Sequence, residues 1–270
     1  MKRDAESRSN FGLREEIKAY WSARAATFDL SAGHEIFSDE ERDAWYRLVL
    51  KHLGQGEGRR ALDLASGTGV VSHLMDDLGF QVTGLDWAEP MLERARSKAN
   101  SRHRSIRFRM ADVENTMEPD GAYDVMITRH LVWTLVDPAA AFAEWLRVLK
   151  PGGRILIVDG DFVSVSRTER VLKALAGAME RLGIVKPDAP HAPTGMAQTH
   201  NSILSRVYFS GGARADLVAD LLEKAGFESI SVDTNLREIH RAQARHWSYL
   251  KALSRGIQHR FALSARKPIG

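Results

Sequence analysis

The sequence predicts an α/β fold in which helices cover both faces of a largely parallel, Rossmann-like sheet. Between residues 60 and 160, short apolar runs alternate with segments of helical apolar period. A glycine-containing turn, Ser66 to Gly69, follows the first run, and acids lie in or just after the first three: Asp63, Asp86 and Asp112. Strands that alternate with helices require crossover connections, and crossovers produce a doubly wound parallel sheet.

Composition restricts the classes of function. The chain has 270 residues, 44% of them hydrophobic, and no cysteine, which excludes disulfides, thiolate nucleophiles and cysteine-based zinc sites. No apolar run approaches ~18 residues, and the start MKRDAESRSN lacks an apolar centre, so we expect neither a membrane span nor a signal peptide. A net charge of +3 is too small to indicate nucleic acid by itself. We therefore expect a cytoplasmic protein without a metal site.

The first 54 residues are predicted to form a helical piece that precedes the main domain at 55–270. Residues 1–10 are polar and are expected to be frayed. The apolar spacing from Phe11 predicts one helix, and Ser38 with Glu41 forms a capping box at the start of a second helix that ends before Gly54.

The main domain alternates predicted strands and helices. The strands are Arg60–Leu64, Phe80–Leu85, Ile106–Met110, Tyr123–Thr128, Arg154–Asp159, Ser229–Asp233 and Arg260–Ala265. The helices are Val70–Leu78, Pro90–Ala99, Pro138–Leu149, Thr168–Leu182 and Arg214–Ala225. The clearest boundary is that of the third helix, where Asp137 is the N-cap, Pro138 takes the first position and Lys-Pro-Gly-Gly ends it.

The carboxyl ends of the first three strands are predicted to form a nucleoside site, because ligands of doubly wound sheets bind there. Asp86 stands at the offset from the first strand at which an acid reaches ribose hydroxyls in dinucleotide-type folds. Trp87 and Met91 offer apolar surfaces for a purine ring, although Met91 suits a core role equally well. One aspartate after a strand is usually a helix cap, so the prediction rests on three acids behind a glycine turn.

Five motifs resemble those of the class I S-adenosylmethionine-dependent methyltransferases. They are LDLASGTG, VTGLDWAEPML, RMADVEN, YDVMITRHLVWTLVDP and LKPGGRILIVDGD, in the family's order and at its spacings. The resemblance covers about residues 11–161 and the final strands. It implies a seven-stranded sheet with the last strand antiparallel, S-adenosyl-L-methionine as cofactor and S-adenosyl-L-homocysteine as product.

The resemblance also implies roles for individual residues. The methionine part of the cofactor would lie against the turn at Ala65, Ser66 and Gly67, and Asp86 would bind the ribose hydroxyls. The family commonly has Gly and Cys where this chain has Ala65 and Ser66, and both replacements are small. Trp87 and Met91 would flank the adenine, Asp112 and Val113 would meet its amino edge, and Arg129 would lie under the amino acid end. The other predicted cofactor-binding residues are Asp63 and Gly69.

The N-terminal helix resembles the family's lid in Tyr20, Trp21 and Arg24, followed by Phe28 and Asp29. An aromatic pair can close over a sulfonium, and an arginine can pair with the methionine carboxylate. The alternative is an amphipathic helix that only packs on the domain.

The acceptor is expected beside the fourth strand. Methyl transfer needs mainly an in-line approach, and a base is required only if the acceptor is protonated at rest. His130 is the candidate base or acceptor-orienting group, and Trp133 either lines the pocket or belongs to the core. An insertion at about 161–212 resembles a substrate cap, in which His191 and His200 either contact the substrate or lie in solvent.

A second insertion, basic and helical in pattern, covers about residues 236–256. It would form either a second wall of the acceptor site or a subunit contact, as in a homodimer.

We therefore expect a methyltransferase that modifies nitrogen or oxygen of a small metabolite, with no nucleic acid or membrane partner. Basic charge in Arg94 to Arg109 is predicted to form a solvated face, and no Asn-Pro-Pro-Tyr type motif follows the fourth strand. Two alternatives stay open. One is an RNA or protein methyltransferase, and the other is a non-catalytic regulatory protein that binds the cofactor.

Overall fold

The computed structural model describes residues 2–31, 33–164, 167–182 and 195–270. Its strands are β1 (Arg60–Leu64), β2 (Gln81–Asp86), β3 (Arg107–Met110), β4 (Tyr123–Arg129), β5 (Leu149–Gly160), β6 (Glu228–Asp233) and β7 (Arg260–Arg266). Its α-helices are α1 (Lys2–Arg24), α2 (Asp39–Leu53), α3 (Val70–Asp77), α4 (Glu89–Ser101), α5 (Pro138–Val148), α6 (Arg167–Arg181), α7 (Met196–Leu204), α8 (Ala215–Lys224), α9 (Arg237–Ala244) and α10 (Tyr249–Gly256). Short 3-10 helices cover Ala25–Leu30 and Val132–Thr134.

The seven strands form one sheet in the order β3-β2-β1-β4-β5-β7-β6. Strands β1 to β5 pair in parallel, whereas β7 runs antiparallel to both β5 and β6. This confirms the predicted Rossmann-like sheet with its reversed last strand. Because Gly160 pairs with Arg260, the start of β7 lies beside the carboxyl end of β5.

Buried side chains form a core on each face of the sheet. On one face, α5 contributes Phe142 and Trp145, both fully buried. On the other face, Trp45 of α2 and Leu74 of α3 pack over β1 and β4. The second predicted helix therefore packs directly against the sheet.

Two predicted helix starts are capped by the residues expected. The Ser38 hydroxyl accepts a hydrogen bond from the Glu41 amide at 3.2 Å, and the Asp137 carboxylate accepts one from the Ala140 amide at 3.0 Å. These side chains satisfy amide groups that have no partner inside the helix.

Three elements differ from the sequence prediction. Helix α1 starts at Lys2 instead of Phe11, because residues 2–10 are rich in helix-forming Lys, Arg, Glu and Ala despite lacking an apolar period. Strand β5 starts at Leu149 instead of Arg154, with a shift in its register against β4 that absorbs the Pro-Gly-Gly sequence. The segment predicted to be helical in pattern at about 236–256 is interrupted at residues 245–248, which separate α9 from α10.

The insertion after β5 contains α6 and α7. The proline-rich stretch Lys186 to Pro193, with the predicted substrate residue His191, lies outside the described residues. None of the helices in the described parts of the chain is long and apolar enough to cross a membrane.

Candidate active site

A cavity of about 430 Å³ opens at the carboxyl ends of the parallel strands. Most residues predicted to bind cofactor or acceptor line it. They are Tyr20, Trp21, Arg24, Asp63, Ala65, Ser66, Gly67, Asp86, Trp87, Met91, Asp112, Val113, Arg129, His130, Trp133 and His200. The chain folds these residues together from α1, from four strand ends and from α7.

Gly69 does not belong to this lining, contrary to the prediction. It is the N-cap of α3 with a φ of 84°. A Cβ atom there would come within 2.9 Å of the Phe108 ring and 3.2 Å of the Ala95 Cβ atom. Glycine is therefore required for helix packing and for the left-handed backbone.

The turn after β1 presents main chain to the cavity. Ala65 has a φ of 55° and Gly67 a φ of 54°, both in the left-handed region. The Ser66 amide donates to the Leu85 carbonyl at 2.8 Å, which ties the turn to β2. The buried Ser66 hydroxyl has no hydrogen-bond partner within the described ranges.

Asp86 joins the turn to the start of α4. Its carboxylate accepts hydrogen bonds from the Gly67 amide at 2.9 Å and from the Ala88 amide at 2.8 Å. Burial raises the pKa of this carboxyl to about 6, against the lowering effect of these backbone hydrogen bonds. The carboxylate is fixed in orientation and keeps lone pairs available for a hydroxyl donor in the cavity.

Asp63 lies deeper, in β1 itself, where its carboxylate accepts a hydrogen bond from the Ser72 hydroxyl at 2.6 Å. Burial raises its pKa to about 7, and the hydrogen bond from Ser72 opposes this rise. This contact anchors α3 to β1 under the glycine turn.

The loop after β3 forms the rim of the cavity. The Asp112 carboxylate accepts from the Glu114 amide at 2.9 Å, and the Val113 carbonyl accepts from the Trp145 indole at 2.9 Å. Glu114 also lines the cavity; it accepts from the Val136 amide and pairs with Arg14 of α1. Glu114 belongs to the RMADVEN motif, from which no role for it could be predicted.

An aromatic cluster covers the cavity. Tyr20 lies 5.1 Å from Trp21 and 5.4 Å from His200 between ring centroids, and the His200 ring is nearly parallel to Tyr20. Trp133 meets Trp21 at 6.4 Å and His200 at 5.6 Å, both edge-on. His200 of the insertion at about 161–212 lies in α7, which packs against α1.

The 3-10 helix after α1 is held over the glycine turn by polar contacts. The Asp29 carboxylate accepts from the Thr68 hydroxyl at 2.5 Å and pairs with Lys98 at 2.9 Å. Lys98 also pairs with Glu35 at 2.7 Å. We call these four residues the lid latch.

Two arginines lie near the lid and the end of β4. Arg24 is only 7% exposed and donates to the Thr27 hydroxyl at 3.2 Å. Arg129 donates to the His34 carbonyl at 2.5 Å and lies 5.4 Å from the Trp45 ring centroid. The Arg129 Nη1 atom is buried without a hydrogen-bond partner in the residues that the structure covers.

His130 occupies a strained position at the centre of the cavity wall. Its φ of 59° is left-handed, and its amide donates to the Val158 carbonyl at 3.0 Å. Burial, with nearby Arg129 and Arg260, lowers the pKa of its imidazole well below the ordinary value. The ring is therefore neutral at physiological pH, and its Nε2 atom is buried without a partner in the described part of the chain.

The sequence did not identify the individual residues of the cavity wall beyond β5, which we call the far wall. Beyond β5, the cavity is lined by Phe162, Gln243, Trp247, Arg255, Gln258 and Arg260. The insertion at about 236–256 therefore supplies part of the cavity wall, one of its two expected roles. Its basic composition was visible in the sequence, but no local pattern showed which arginines point inward.

Comparisons with known proteins agree with this geometry. A profile of the family described as "Methyltransferase domain" matches residues 62–157. Demethylmenaquinone methyltransferase of Renibacterium salmoninarum is 31% identical over 183 residues, which cover 65% of this chain and 74% of that protein. The ubiquinone/menaquinone biosynthesis C-methyltransferase of Bdellovibrio bacteriovorus is 31% identical over 153 residues, 56% of this chain and 64% of that protein.

A solved structure shares the fold. Phosphoethanolamine N-methyltransferase 2 of Haemonchus contortus, in complex with S-adenosyl-L-methionine, superposes with a TM-score of 0.62 at 16% identity. The match covers 90% of this chain and 56% of that one. The chain thus spans less than two thirds of the length of the nematode protein and of the Bdellovibrio relative.

The sheet order, the cavity at the strand ends and these relatives define a Rossmann-like methyltransferase. The chain belongs to the class I S-adenosylmethionine-dependent methyltransferases, a class of enzymes. Its cofactor is S-adenosyl-L-methionine.

Proposed function

We propose that this protein transfers the methyl group of S-adenosylmethionine to a small metabolite bound against His130 and the far wall. The observation that carries the proposal is the convergence of the glycine turn, Asp86 and the aromatic cover on one cavity. The cofactor supplies a methyl group on a sulfonium, which is already an activated leaving group. The protein's task is to bind, orient and exclude water.

The residues at the strand ends suit this cofactor. We assign the ribose hydroxyls to Asp86, whose carboxylate is fixed by two backbone amides. We assign the methionine end to the turn at Ala65 to Gly67, where the Ser66 hydroxyl has no partner in the described residues. Arg24 and Arg129 are the candidates to hold the methionine carboxylate.

The adenine is assigned to the pocket between α4 and the loop after β3. Met91 is 2% exposed and packs with Trp87, so the two form one apolar wall. Asp112 and Val113 lie on the facing rim. The lid aromatics Tyr20 and Trp21 close the space above the sulfonium, where a cation is attracted to the face of a ring.

His130 is proposed to orient the acceptor. Its pKa is lowered, so the imidazole is neutral and its unpartnered Nε2 atom can accept a hydrogen bond from an acceptor hydroxyl or amine. Because its pKa is lowered, the His130 imidazole is also a weak base. We therefore propose that it orients the acceptor and does not remove a proton from it completely. Trp133 and His200 complete this side of the pocket.

The acceptor is proposed to be a small molecule because the aromatic cover and the far wall line one cavity of about 430 Å³, a volume typical of small-ligand sites. Nitrogen and oxygen were the expected acceptor atoms, and the C-methyltransferase relative adds carbon to them. A cytoplasmic location and a homodimer stay predictions from the sequence.

Calorimetry with S-adenosylhomocysteine tests the cofactor assignment. We expect Asp86→Asn to weaken binding by about tenfold or more, because the hydroxyl groups of the ribose lose a negatively charged hydrogen-bond acceptor. The matched control is Asp124→Asn, whose carboxylate also accepts a backbone amide, from Arg60, but lies outside the cavity lining. Equal affinity in both variants would contradict the assigned pocket.

Labelling of a cell extract with methyl-labelled cofactor tests the acceptor class. We expect label in the small-molecule fraction. Label confined to RNA or protein would support those acceptors instead, and cofactor binding without any transfer would indicate a regulatory protein.

A further inference from the structure

Three arginines that line the cavity come from β4, α10 and β7. Arg129 ends β4, Arg255 lies in the last turn of α10, and Arg260 begins β7. Arg260 is only 6% exposed, and its side chain and that of Arg255 line the cavity.

The hydrogen bonds of these arginines go to neutral oxygens. Arg260 donates to the Gln243 side-chain carbonyl at 3.1 Å, and Arg255 donates to the Gln258 side-chain carbonyl at 3.0 Å. Arg129 donates to the backbone carbonyl of His34. The buried Nε atom of Arg260 has no partner among the residues that the structure describes.

The acids near these arginines accept hydrogen bonds from other groups. The Asp159 carboxylate accepts from the Val132 amide at 2.7 Å and the Gly160 amide at 2.8 Å, and burial raises its pKa to about 7. The buried Glu41 carboxylate accepts a hydrogen bond from the side-chain amide of Gln243 at 2.8 Å. The Glu169 carboxylate accepts a hydrogen bond from the side-chain amide of Gln258 at 3.3 Å. None of the hydrogen bonds described for the three arginines therefore goes to a carboxylate, although Glu169 acts electrostatically on Arg255, and Asp159 and Glu41 act on Arg260.

Arg260 carries its charge into a buried position beside two other arginines. Burial, together with Arg255 and Arg129, lowers the pKa of Arg260 to about 10, while Asp159 and Glu41 act in the opposite direction. Buried charge of one sign requires a compensating partner. S-adenosylmethionine does not supply the excess negative charge, because its single carboxylate is outnumbered by an ammonium and a sulfonium.

The order of strands in the sheet separates Arg260 from the glycine turn that follows β1. Arg260 stands on β7, which lies three strands from β1 in the order β1-β4-β5-β7. At a strand spacing of about 4.8 Å, that distance is roughly 14 Å. Arg24 and Arg129 are nearer to the glycine turn, which leaves Arg255 and Arg260 for the other ligand.

We propose that the methyl acceptor carries an anionic oxygen group, a carboxylate or a phosphate ester, which Arg255 and Arg260 bind. Phe162 and Trp247 line the same wall, so the body attached to this group is apolar and flat. This inference rests on the proposed methyltransferase function and specifies its substrate class.

Titration of the S-adenosylhomocysteine complex with benzoate, phenyl phosphate and the neutral analogue benzamide tests the proposal. We expect benzoate or phenyl phosphate to bind by calorimetry at least about tenfold more tightly than benzamide. The preferred anion identifies the group. We expect Arg260→Gln and Arg255→Gln each to remove this preference, while Arg47→Gln, at an exposed arginine on α2, keeps it.

Binding of S-adenosylhomocysteine by the same variants separates the two hypotheses. Retained affinity for it shows that Arg260→Gln is folded, and Arg255→Gln provides a second test if Arg260→Gln is not. If S-adenosylhomocysteine binds the wild-type protein but the anions bind no better than benzamide, the anionic acceptor is wrong and the cofactor site stands. If S-adenosylhomocysteine itself does not bind, the proposed function fails first.

Discussion

Ala65 and His130 hold left-handed backbone torsions on the cavity wall, with φ values of 55° and 59°. Such torsions cost a residue with a Cβ atom about 1 kcal/mol or more, and they cluster at functional sites. In Ala65 the torsion turns the main chain after β1 toward the cavity. In His130 it points the imidazole inward from the end of β4.

Replacing Ala65 with glycine relieves this strain. We expect Ala65→Gly to keep or raise the free energy of unfolding, by up to about 1 kcal/mol, because glycine adopts positive φ freely. Thermal and denaturant unfolding measure the change. The control is Ala61→Gly in the ordinary extended backbone of β1, which should lose about 1 kcal/mol. Equal losses in both variants would contradict the assigned strain.

The role of His130 in the reaction is best tested by the substitution His130→Asn, because Asn tolerates the left-handed backbone torsion better than Ala does. We expect His130→Asn to bind S-adenosylhomocysteine like the wild type and to lower turnover of the identified acceptor by about tenfold or more. Because burial lowers the imidazole pKa, the wild-type rate should show no titration of His130 near its ordinary value. Undiminished turnover would exclude His130 from the reaction.

The raised pKa of Asp86 predicts a pH dependence of cofactor binding. A ribose hydroxyl donates to the carboxylate, so binding favours the deprotonated form and affinity falls as pH drops through about 6. Between about pH 7 and pH 5 the loss should be about tenfold. Calorimetry across this range measures it. Asp86→Asn should flatten the profile, and an unchanged slope in that variant would assign the titration to another group.

At the scale of elements, the lid latch fixes the 3-10 helix over the glycine turn. Removing its cation with Lys98→Met should weaken S-adenosylhomocysteine binding about fivefold, because about 1 kcal/mol of partly buried ion pairing is lost. Proteolysis near residues 25–35 should accelerate as well. The control is Lys51→Met, which removes an ion pair with Asp233 away from the cavity. Matched behaviour of the two variants would show that the latch does not hold the lid.

At the scale of the whole molecule, the proposed binding regions for cofactor and acceptor lie over different strands. S-adenosylhomocysteine should therefore slow amide hydrogen exchange in α1 and in the loops after β1, β2 and β3, with little effect on α10. At about 100 times its dissociation constant it should stabilise the folded state by about 2.7 kcal/mol. Protection of α10 as strong as that of the glycine turn would contradict this division.

The same division explains how far the sequence could predict the site. The residues proposed to bind the cofactor were predictable because Ala65 to Gly67, Asp86 and Asp112 lie at the ends of consecutive strands of the chain. The fold class was predictable from the alternation of strands and helices. Arg255 and Arg260 were not, because their position depends on β7 inserting antiparallel between β5 and β6. Gly69 was grouped with the cofactor-binding residues because a glycine needed for packing against Phe108 looks the same in sequence as one that admits a ligand.

The reversed direction of β7 has an evolutionary consequence. Its first residue, Arg260, reaches the functional edge only because the strand runs opposite to its neighbour β5. The proposed sites for the two ligands are consequently encoded by separate parts of the gene, with the far wall encoded downstream of β5. Exchange of that downstream part between homologues by recombination would alter acceptor preference while the inherited cofactor machinery stays intact.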